Sequence, residues 1–334
     1  MSYHALIKSS DRRLQSQACT PAGVRNLYVE RAPLGQKRRS EFFLTNTPGR
    51  TRVADLGANC RGIFSQSGCR GGDLFAASGG SVLQLASSYS QSTIGGIIGS
   101  DAVKFQAFRT ALGLRAFGQL HHYDGAFTTV SDADAPSFAS TFAVAQYRAV
   151  AGYQAGDGFS WSGSGTFGTW PTGGNASNFP FPDTGVALEY IQGVLWTFDA
   201  TSSRPWRPTT EADETRAFLP IEGVDIEVGA AGREAVVKTQ SGGMLIGHDR
   251  TIRRIAGLDL QLVQNRDFEL AAKALTAAEL AQAKVWSYRD GSKEFVGFNI
   301  GLERCFVFDL DTGLWHERTR HASDAYDIDF ATTA

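Results

Sequence analysis

Six histidines, His4, His121, His122, His248, His316 and His321, are the first residues to test for chemistry. His121-His122 followed by Asp124 has the residue types of a metal site. Neighbours along a strand point to opposite faces, so the two rings do not converge on one ion and the pair reads as structural. His316 and His321 bound the basic stretch HERTRH, with no carboxylate or cysteine partner at useful spacing. Asp132 and Asp134 supply paired carboxylates, but within SDADAP, where aspartate serves turn geometry. The glycine-rich GGIIGSD (95–101) lacks the lysine and the following helix of a phosphate cradle. No G-x-S-x-G, Walker-type loop or H-E-x-x-H occurs. The sequence therefore predicts no catalytic, cofactor or metal residues and reads as a non-enzyme.

Asp311-Thr312-Gly313-Leu314-Trp315 resembles the Asp box of sialidase propellers, D-x-G-x-x-W, shortened by one residue. One imperfect box carries no glycosidase chemistry. Four cysteines, Cys19, Cys60, Cys69 and Cys305, are too few and too scattered for a disulfide framework. The spacing of Cys60 and Cys69 matches no standard zinc site. They read as free thiols of a soluble protein made in a reducing cytosol. The N-terminus has no apolar core of signal-peptide length, and no run approaches the ~20 apolar residues of a membrane span.

The elements that carry these residues are short strands. The 334 residues are 42% hydrophobic, with 37 glycines and 22 phenylalanines against two methionines, a composition suited to strands joined by tight turns. From Gly72 onward one unit recurs: a short apolar strand, a glycine, a second apolar strand, then an Asp- or Gly-rich turn. GDLFAASGGSVLQL (72–85) and EFVGFNIGLERCFVFDLDTGLW (294–315) are two of six instances. With Gly80, Gly118, Gly156, Gly193, Gly243 and Gly301 as hairpin anchors, the intervals are 38, 38, 37, 50 and 58 residues. Such periods predict an all-β chain, a β-propeller of six four-stranded blades with seven as the alternative, over residues 51–334. Phe198-Asp199 followed by Trp206, and Phe308-Asp309 followed by Trp315, give a finer repeat. Each Asp is expected to close a turn and each Trp to fill the wedge between blades.

Three segments depart from the pattern. FELAAKALTAAELAQAKVW (268–286) is rich in helix formers, and Thr276 three residues before Glu279 is a capping-box pair, so a short helical insertion is predicted there. The stretch 162–185 is too polar and glycine-rich for a strand and reads as a long loop of the kind that contacts partners. Residues 19–49 are basic and turn-rich with one apolar run, Phe42-Phe43-Leu44, and predict an extended arm within residues 1–50. The formal net charge of -2 leaves no footprint of a protein that grips nucleic acid over its whole surface.

NLYVERAP followed by TPGRT resembles the N-terminal stretch of the tail hub, or nozzle, proteins of short-tailed bacteriophages, also called packaged-DNA stabilisation proteins. The matching residues are Asn26, Tyr28, Glu30, Pro48 and Gly49. GGMLIGHDRTIRRIAG (242–257), and the succession of helix, strand and Asp…Trp hairpin over 275–318, are similar to later parts of that family. The resemblance implies a structural virion protein assembled in the bacterial cytoplasm. Six copies would ring the DNA channel below the portal and its adaptor, retain packaged DNA and dock fibres, spikes or a plug. DNA would pass without tight binding, and the protein would insert in no membrane. Asn26, Tyr28, Glu30, Arg31, Lys37, Arg38 and Arg39 would form an assembly arm crossing to a neighbouring subunit or to the ring above. The alternative is a kelch- or sialidase-like propeller binding a glycan or protein at its axial mouth, with Trp161 and Trp170 exposed around one funnel.

Overall fold

In the computed structural model, residues 27–31, 42–46, 55–153, 158–177, 185–209, 214–224, 226–263, 265–290, 292–301 and 304–318 are described, residues 27–31 and 42–46 by their backbone alone. Six antiparallel four-stranded sheets follow one another along the chain, each in simple up-and-down order. Blade 1 comprises β3 (Cys60–Phe64), β4 (Leu74–Ser78), β5 (Ser81–Leu85) and β6 (Gln91–Gly96). Blade 2 comprises β7 (Lys104–Phe108), β8 (Ala111–Ala116), β9 (Gln119–Tyr123) and β10 (Phe127–Thr129). Blade 3 comprises β11 (Ala139–Ala145), β12 (Arg148–Tyr153), β13 (Gly158–Trp161) and β14 (Asn175–Ser177). Blade 4 comprises β15 (Gly185–Ile191), β16 (Val194–Asp199), β17 (Ser203–Pro208) and β18 (Phe218–Pro220). Blade 5 comprises β19 (Val236–Thr239), β20 (Gly242–Ile246), β21 (Ile252–Ala256) and β22 (Asp259–Val263). Blade 6 comprises β23 (Lys284–Asp290), β24 (Lys293–Ile300), β25 (Arg304–Asp309) and β26 (Trp315–Arg318). First strands of successive blades lie side by side, so these strands surround the axis and the fourth strands form the rim. The fold is a six-bladed β-propeller.

Each blade is covered on both faces by its neighbours, which is why β8, ALGLRA, is buried at every position instead of alternating. The core consists of wedges between blades. One joins Phe159 and Trp161 of blade 3 to Leu195, Trp206 and Phe218 of blade 4, and another joins Met244 and Ile246 of blade 5 to Phe298, Phe306 and Trp315 of blade 6. Turns between strands are tight. Phe117 and Gly118 close β8 to β9 with φ of 44° and 77°, the two positive values of a type I′ turn, in which glycine is favoured at the second position.

Four expectations change in detail. Gly80, Gly118 and Gly301 do mark turns between second and third strands, but Gly193 marks the turn between the first and second strands of blade 4. Gly243 lies inside β20, and Gly156 is outside the described residues. Gly193 and Gly243 both stand at or just after the first turn of their blades, so of the last two intervals only the last mixes two kinds of turn, and the helical insertion lengthens it further. The two Asp…Trp units are not equivalent either: Asp199 and Trp206 flank the turn between strands two and three of blade 4, Asp309 and Trp315 that between strands three and four of blade 6. The helical insertion is two helices, α1 (Arg266–Lys273) and α2 (Ala277–Leu280), and Lys284 to Trp286 already belong to β23. Asn265 caps α1, the Thr276–Glu279 capping box opens α2, and Phe268, Ala272 and Leu280 are buried against blades 5 and 6. Within 162–185, Asn175–Ser177 is the fourth strand of blade 3, and Phe167 and Trp170 turn inward against Phe108 and Phe142. Apolar side chains two to four residues apart outweighed the local glycine content.

The arm also has local structure. β1 (Leu27–Arg31) and β2 (Phe42–Asn46) pair antiparallel from Leu27 opposite Asn46 to Arg31 opposite Phe42, and β1 lies beside β26 on the rim of blade 6. Asn26, Lys37, Arg38, Arg39, Pro48 and Gly49 lie outside the described residues.

Candidate functional site

With an even number of strands per blade, the loops between blades and the turns between second and third strands share one face. The remaining turns share the other. The interblade face carries the densest polar construction of the described residues, centred on Asp101 in the loop from blade 1 to blade 2. Its carboxylate accepts from Arg61 Nη2 (3.3 Å), Arg115 Nη2 (3.0 Å) and Phe117 N (3.1 Å). Arg233, from the loop between blades 4 and 5, reaches it across the axis at 3.8 Å. Arg61 is held in place by three carbonyls, donating to Asp101 O, Gly79 O and Ile98 O. Arg115 is 1% exposed and donates through Nε to Ala139 O, the first residue of blade 3. Burial, then the charge of Arg233, lowers its pKa from the ordinary 12.5, while Asp101 and Glu234 oppose the shift.

A second bridge crosses the axis. Lys104 Nζ donates to Leu188 O at 2.9 Å and to Glu189 Oε2 at 2.7 Å, and Gln106 Nε2 donates to Glu189 Oε1 at 3.2 Å. These residues stand on the first strands of blades 2 and 4. Charged side chains thus span the axis at two places, and a nucleic-acid duplex has no passage through one propeller.

The residues singled out in the sequence are distributed as follows. Asp199 and Asp309 are both buried. Ser202 Oγ donates to Asp199 Oδ2, and the Asp311 and Thr312 amides donate to Asp309 Oδ1, so each Asp closes its turn. Trp206 packs edge-on to Phe159 of blade 3 with ring centroids 5.0 Å apart. Trp315 lies 4.7 Å from Phe308 and 5.4 Å from Phe298 in the cluster joining blades 5 and 6. Tyr28, Glu30 and Arg31 lie on β1. Trp161 and Trp170, expected around a funnel, are instead 1% and 3% exposed, their indole nitrogens donating to Glu214 O and Phe167 O. They are core residues, so the alternative reading loses its aromatic ring.

His121 and His122 point to opposite sides, His121 stacking on Phe127 and bonding Thr129 Oγ1, His122 stacking on Phe167. Burial pushes His121 and His316 down to about 4 and the Cys69 thiol up to about 11, so all three stay uncharged at neutral pH. Among the described residues no His, Cys, Asp and Glu side chains group to hold a metal, and no helix is long and apolar enough to cross a membrane.

The sequence reading missed the axial bridges. Their signal was the alternation Lys104-Phe105-Gln106 at the start of a blade, with polar residues facing the axis. It also missed the exposed apolar residues at turn tips: Tyr89, Phe117 and Tyr147 are 49%, 46% and 65% exposed, each at positive φ. Bulky side chains are uncommon in that conformation.

The family Phage_stabilise, described as Bacteriophage P22 Gp10, beta-propeller, matches residues 24–313. No curated protein matches the chain. Among solved structures, the extracellular domain of a protein described as a one component system from B. thetaiotaomicron is 9% identical with a TM-score of 0.50, covering 84% of this chain and 36% of that one. PorZ, a bacterial surface component of the type-IX secretion system of Porphyromonas gingivalis, is 10% identical with a TM-score of 0.47, covering 83% and 34%. A protein described as a 6-phosphogluconolactonase from Bacteroides fragilis is 11% identical with a TM-score of 0.48, covering 77% and 79%. The chain spans about a third of the length of the first two, and at such identities the likeness concerns fold alone.

Proposed function

The chain belongs to the family of the bacteriophage P22 Gp10 β-propeller and is a structural protein of a phage particle, and from that premise we propose that it forms the tail hub, a ring of six copies below the portal and its adaptor. The ring continues the DNA channel, retains the packaged genome and offers its outer loops to fibres, spikes or a plug. It is a scaffold and not an enzyme. The observation that carries this reading is the family match over residues 24–313, joined to an axis bridged by Lys104–Glu189 and Arg233–Asp101. A propeller closed in this way does not conduct DNA by itself, so the conduit is the space enclosed by the ring.

Residues 19–49 act as an assembly arm. Their basic loop, with Arg31, Lys37, Arg38 and Arg39, reaches a neighbouring copy or the ring above, and Asn26, Tyr28 and Glu30 belong to the same segment. Ordering such a segment costs about 1–2 kcal/mol per residue in backbone entropy, so the ring forms most readily on a template. A reconstruction of the particle with this chain located in it tests the reading. Density for six copies around the tail axis is the expected result, and any other location ends it.

A further inference from the structure

The interblade face carries an open cleft beside two exposed apolar side chains. It has a volume of about 260 Å3 and lies where blade 2 leads into blade 3, walled by Leu120, Val130 and Pro136 and by the polar Gln119, Thr129 and Ser131. Phe117, next to Gly118, and Ile98, in the loop from blade 1 to blade 2, are 46% and 52% exposed on the same face. Phe117 lies over Gly99, where an added Cβ would come within 2.4 Å of the ring, and Phe138 lies against Gly118 in the same way. Asp132 lines the groove, and exposed Asp134 stands beside it. Both carboxylates are fixed in direction, Asp132 by the Trp170 amide at 3.2 Å and Asp134 by Thr172 Oγ1 at 2.9 Å. Each retains lone pairs for a further donor.

Charge is divided unevenly along the chain. Residues 1–54 hold ten Lys and Arg against three Asp and Glu, leaving 22 against 31 in the remainder. The positive part is the N-terminal segment, and the face around the cleft offers the exposed Phe117 and Ile98 together with two carboxylates. The arm's loop RAPLGQKRRSE (31–41) carries the matching pair of features, Pro33-Leu34 followed by Lys37-Arg38-Arg39.

The arm cannot serve its own groove. β1 lies beside β26 on the rim of blade 6, whereas the groove lies between blades 2 and 3, across the axis. A loop of ten residues anchored at both ends by Arg31 and Phe42 extends at most roughly 17 Å. One blade of four strands is itself about 15–20 Å deep.

We propose that the groove between blades 2 and 3 receives the basic loop 31–41 of a neighbouring copy, with Pro33 and Leu34 against Phe117 and Ile98 and the three basic residues facing Asp132 and Asp134. The donor and acceptor surfaces sit on opposite sides of the propeller. Repetition of that contact runs head to tail and closes into a ring, where a self-complementary patch would stop at a dimer. This inference rests on the arm reading above and adds the receiving surface to it.

The test has two arms. A peptide spanning residues 27–46 is titrated into the full-length protein, into Asp132→Asn/Asp134→Asn, into Phe117→Gly, and into Tyr147→Gly on the opposite face. Glycine suits the positive φ at residues 117 and 147; Asp132 accepts from the Asp134 amide through Oδ1 and from the Trp170 amide through Oδ2, and asparagine keeps one of these acceptors, so thermal denaturation checks that each variant retains the fold. Binding is expected to weaken at least tenfold in the double Asp variant and in Phe117→Gly, to fall with added salt, and to stay unchanged in Tyr147→Gly. No binding to the parent protein, or equal binding to the groove variants, overturns the proposal. In the second arm, Lys37→Glu/Arg38→Glu/Arg39→Glu is assayed for incorporation into tails, alone and combined with Asp132→Lys/Asp134→Lys. Loss in the first and recovery in the combination supports the contact. Loss without recovery, alongside unchanged peptide binding in the groove variants, leaves the arm reading standing and removes this one. Normal incorporation of the triple variant removes both.

Discussion

Lys104 and Glu189 face each other across the axis, Nζ to Oε2 at 2.7 Å, although they stand on the first strands of blades that are not neighbours. Their side chains are 14% and 6% exposed, so little water screens the pair. Two charges withdrawn from water are tolerated because each is satisfied: the ammonium also reaches Leu188 O and the carboxylate also accepts from Gln106. Removing one partner leaves an uncompensated buried charge, which costs about 3–5 kcal/mol. Lys104→Met and Glu189→Leu are each expected to lower the denaturation midpoint by several degrees. The combined Lys104→Met/Glu189→Leu variant should recover most of the loss, since replacing a whole buried pair by apolar groups is often near neutral. Additive losses in the double variant would show that the two residues act independently.

Trp315 and Trp206 fill equivalent roles in different wedges, and both are nearly inaccessible to water. Truncating either to alanine removes a ring from a cluster that joins two blades, at a cost of about 3–5 kcal/mol. Chemical denaturation of Trp315→Ala and Trp206→Ala measures it. An unchanged midpoint for Trp315→Ala would mean that blade 6 is not held against blade 5 through this cluster.

Blade number was legible in the sequence because every blade repeats the same local problem: two faces to bury and a tight turn to make. Gly80, Gly118 and Gly301 report that repetition directly, since each occupies a turn between second and third strands. Gly193 and Gly243 misled because glycine is equally suited to the other kind of turn and to close approach within a sheet. Gly243 sits where an added Cβ would fall 2.7 Å from Ile191. The helices were legible through the Thr276–Glu279 box, a purely local device. The axial bridges were not, because Asp101 and Arg233 are separated by three blades, half of the propeller, and only ring closure brings them to 3.8 Å. Trp161 and Trp170 misled for a related reason. A polar, glycine-rich neighbourhood does not reveal that the loop folds inward, and their indole N–H groups find carbonyls inside it.

Acid should destabilise the propeller before its carboxylates titrate. In the folded protein His121 and His316 are held down to about 4 by burial, against 6.5 when exposed. Between those values the unfolded chain binds protons that the folded chain refuses, so stability is complete above pH 6.5 and is lost as pH falls toward 4. At about 1.4 kcal/mol per unit, each histidine contributes on the order of 3 kcal/mol across that window. The denaturation midpoint recorded from pH 7 to 4.5 should fall steadily, and His121→Gln/His316→Gln should flatten the slope. An equally steep fall in the double variant would assign the effect elsewhere.

The division of charge between arm and body makes a prediction about DNA. Binding to a duplex gains most of its free energy from counterions released where Lys and Arg meet phosphate, and it weakens steeply with salt. Residues 55–334, with 22 basic against 31 acidic residues, repel a duplex on balance, and the axis of the single propeller is bridged by charged pairs. A channel walled by such a surface lets DNA slide, whereas one lined with arginine would hold it and stall ejection. Whatever affinity the free protein has for duplex DNA should therefore reside in residues 1–54, which hold ten basic against three acidic residues. Fluorescence anisotropy with a labelled duplex is expected to show weak binding that disappears in Lys37→Glu/Arg38→Glu/Arg39→Glu and at raised salt. Tight, salt-sensitive binding that survives this substitution would locate a phosphate-binding surface on the propeller itself. Such a surface facing the channel is incompatible with a conduit through which the genome has to leave.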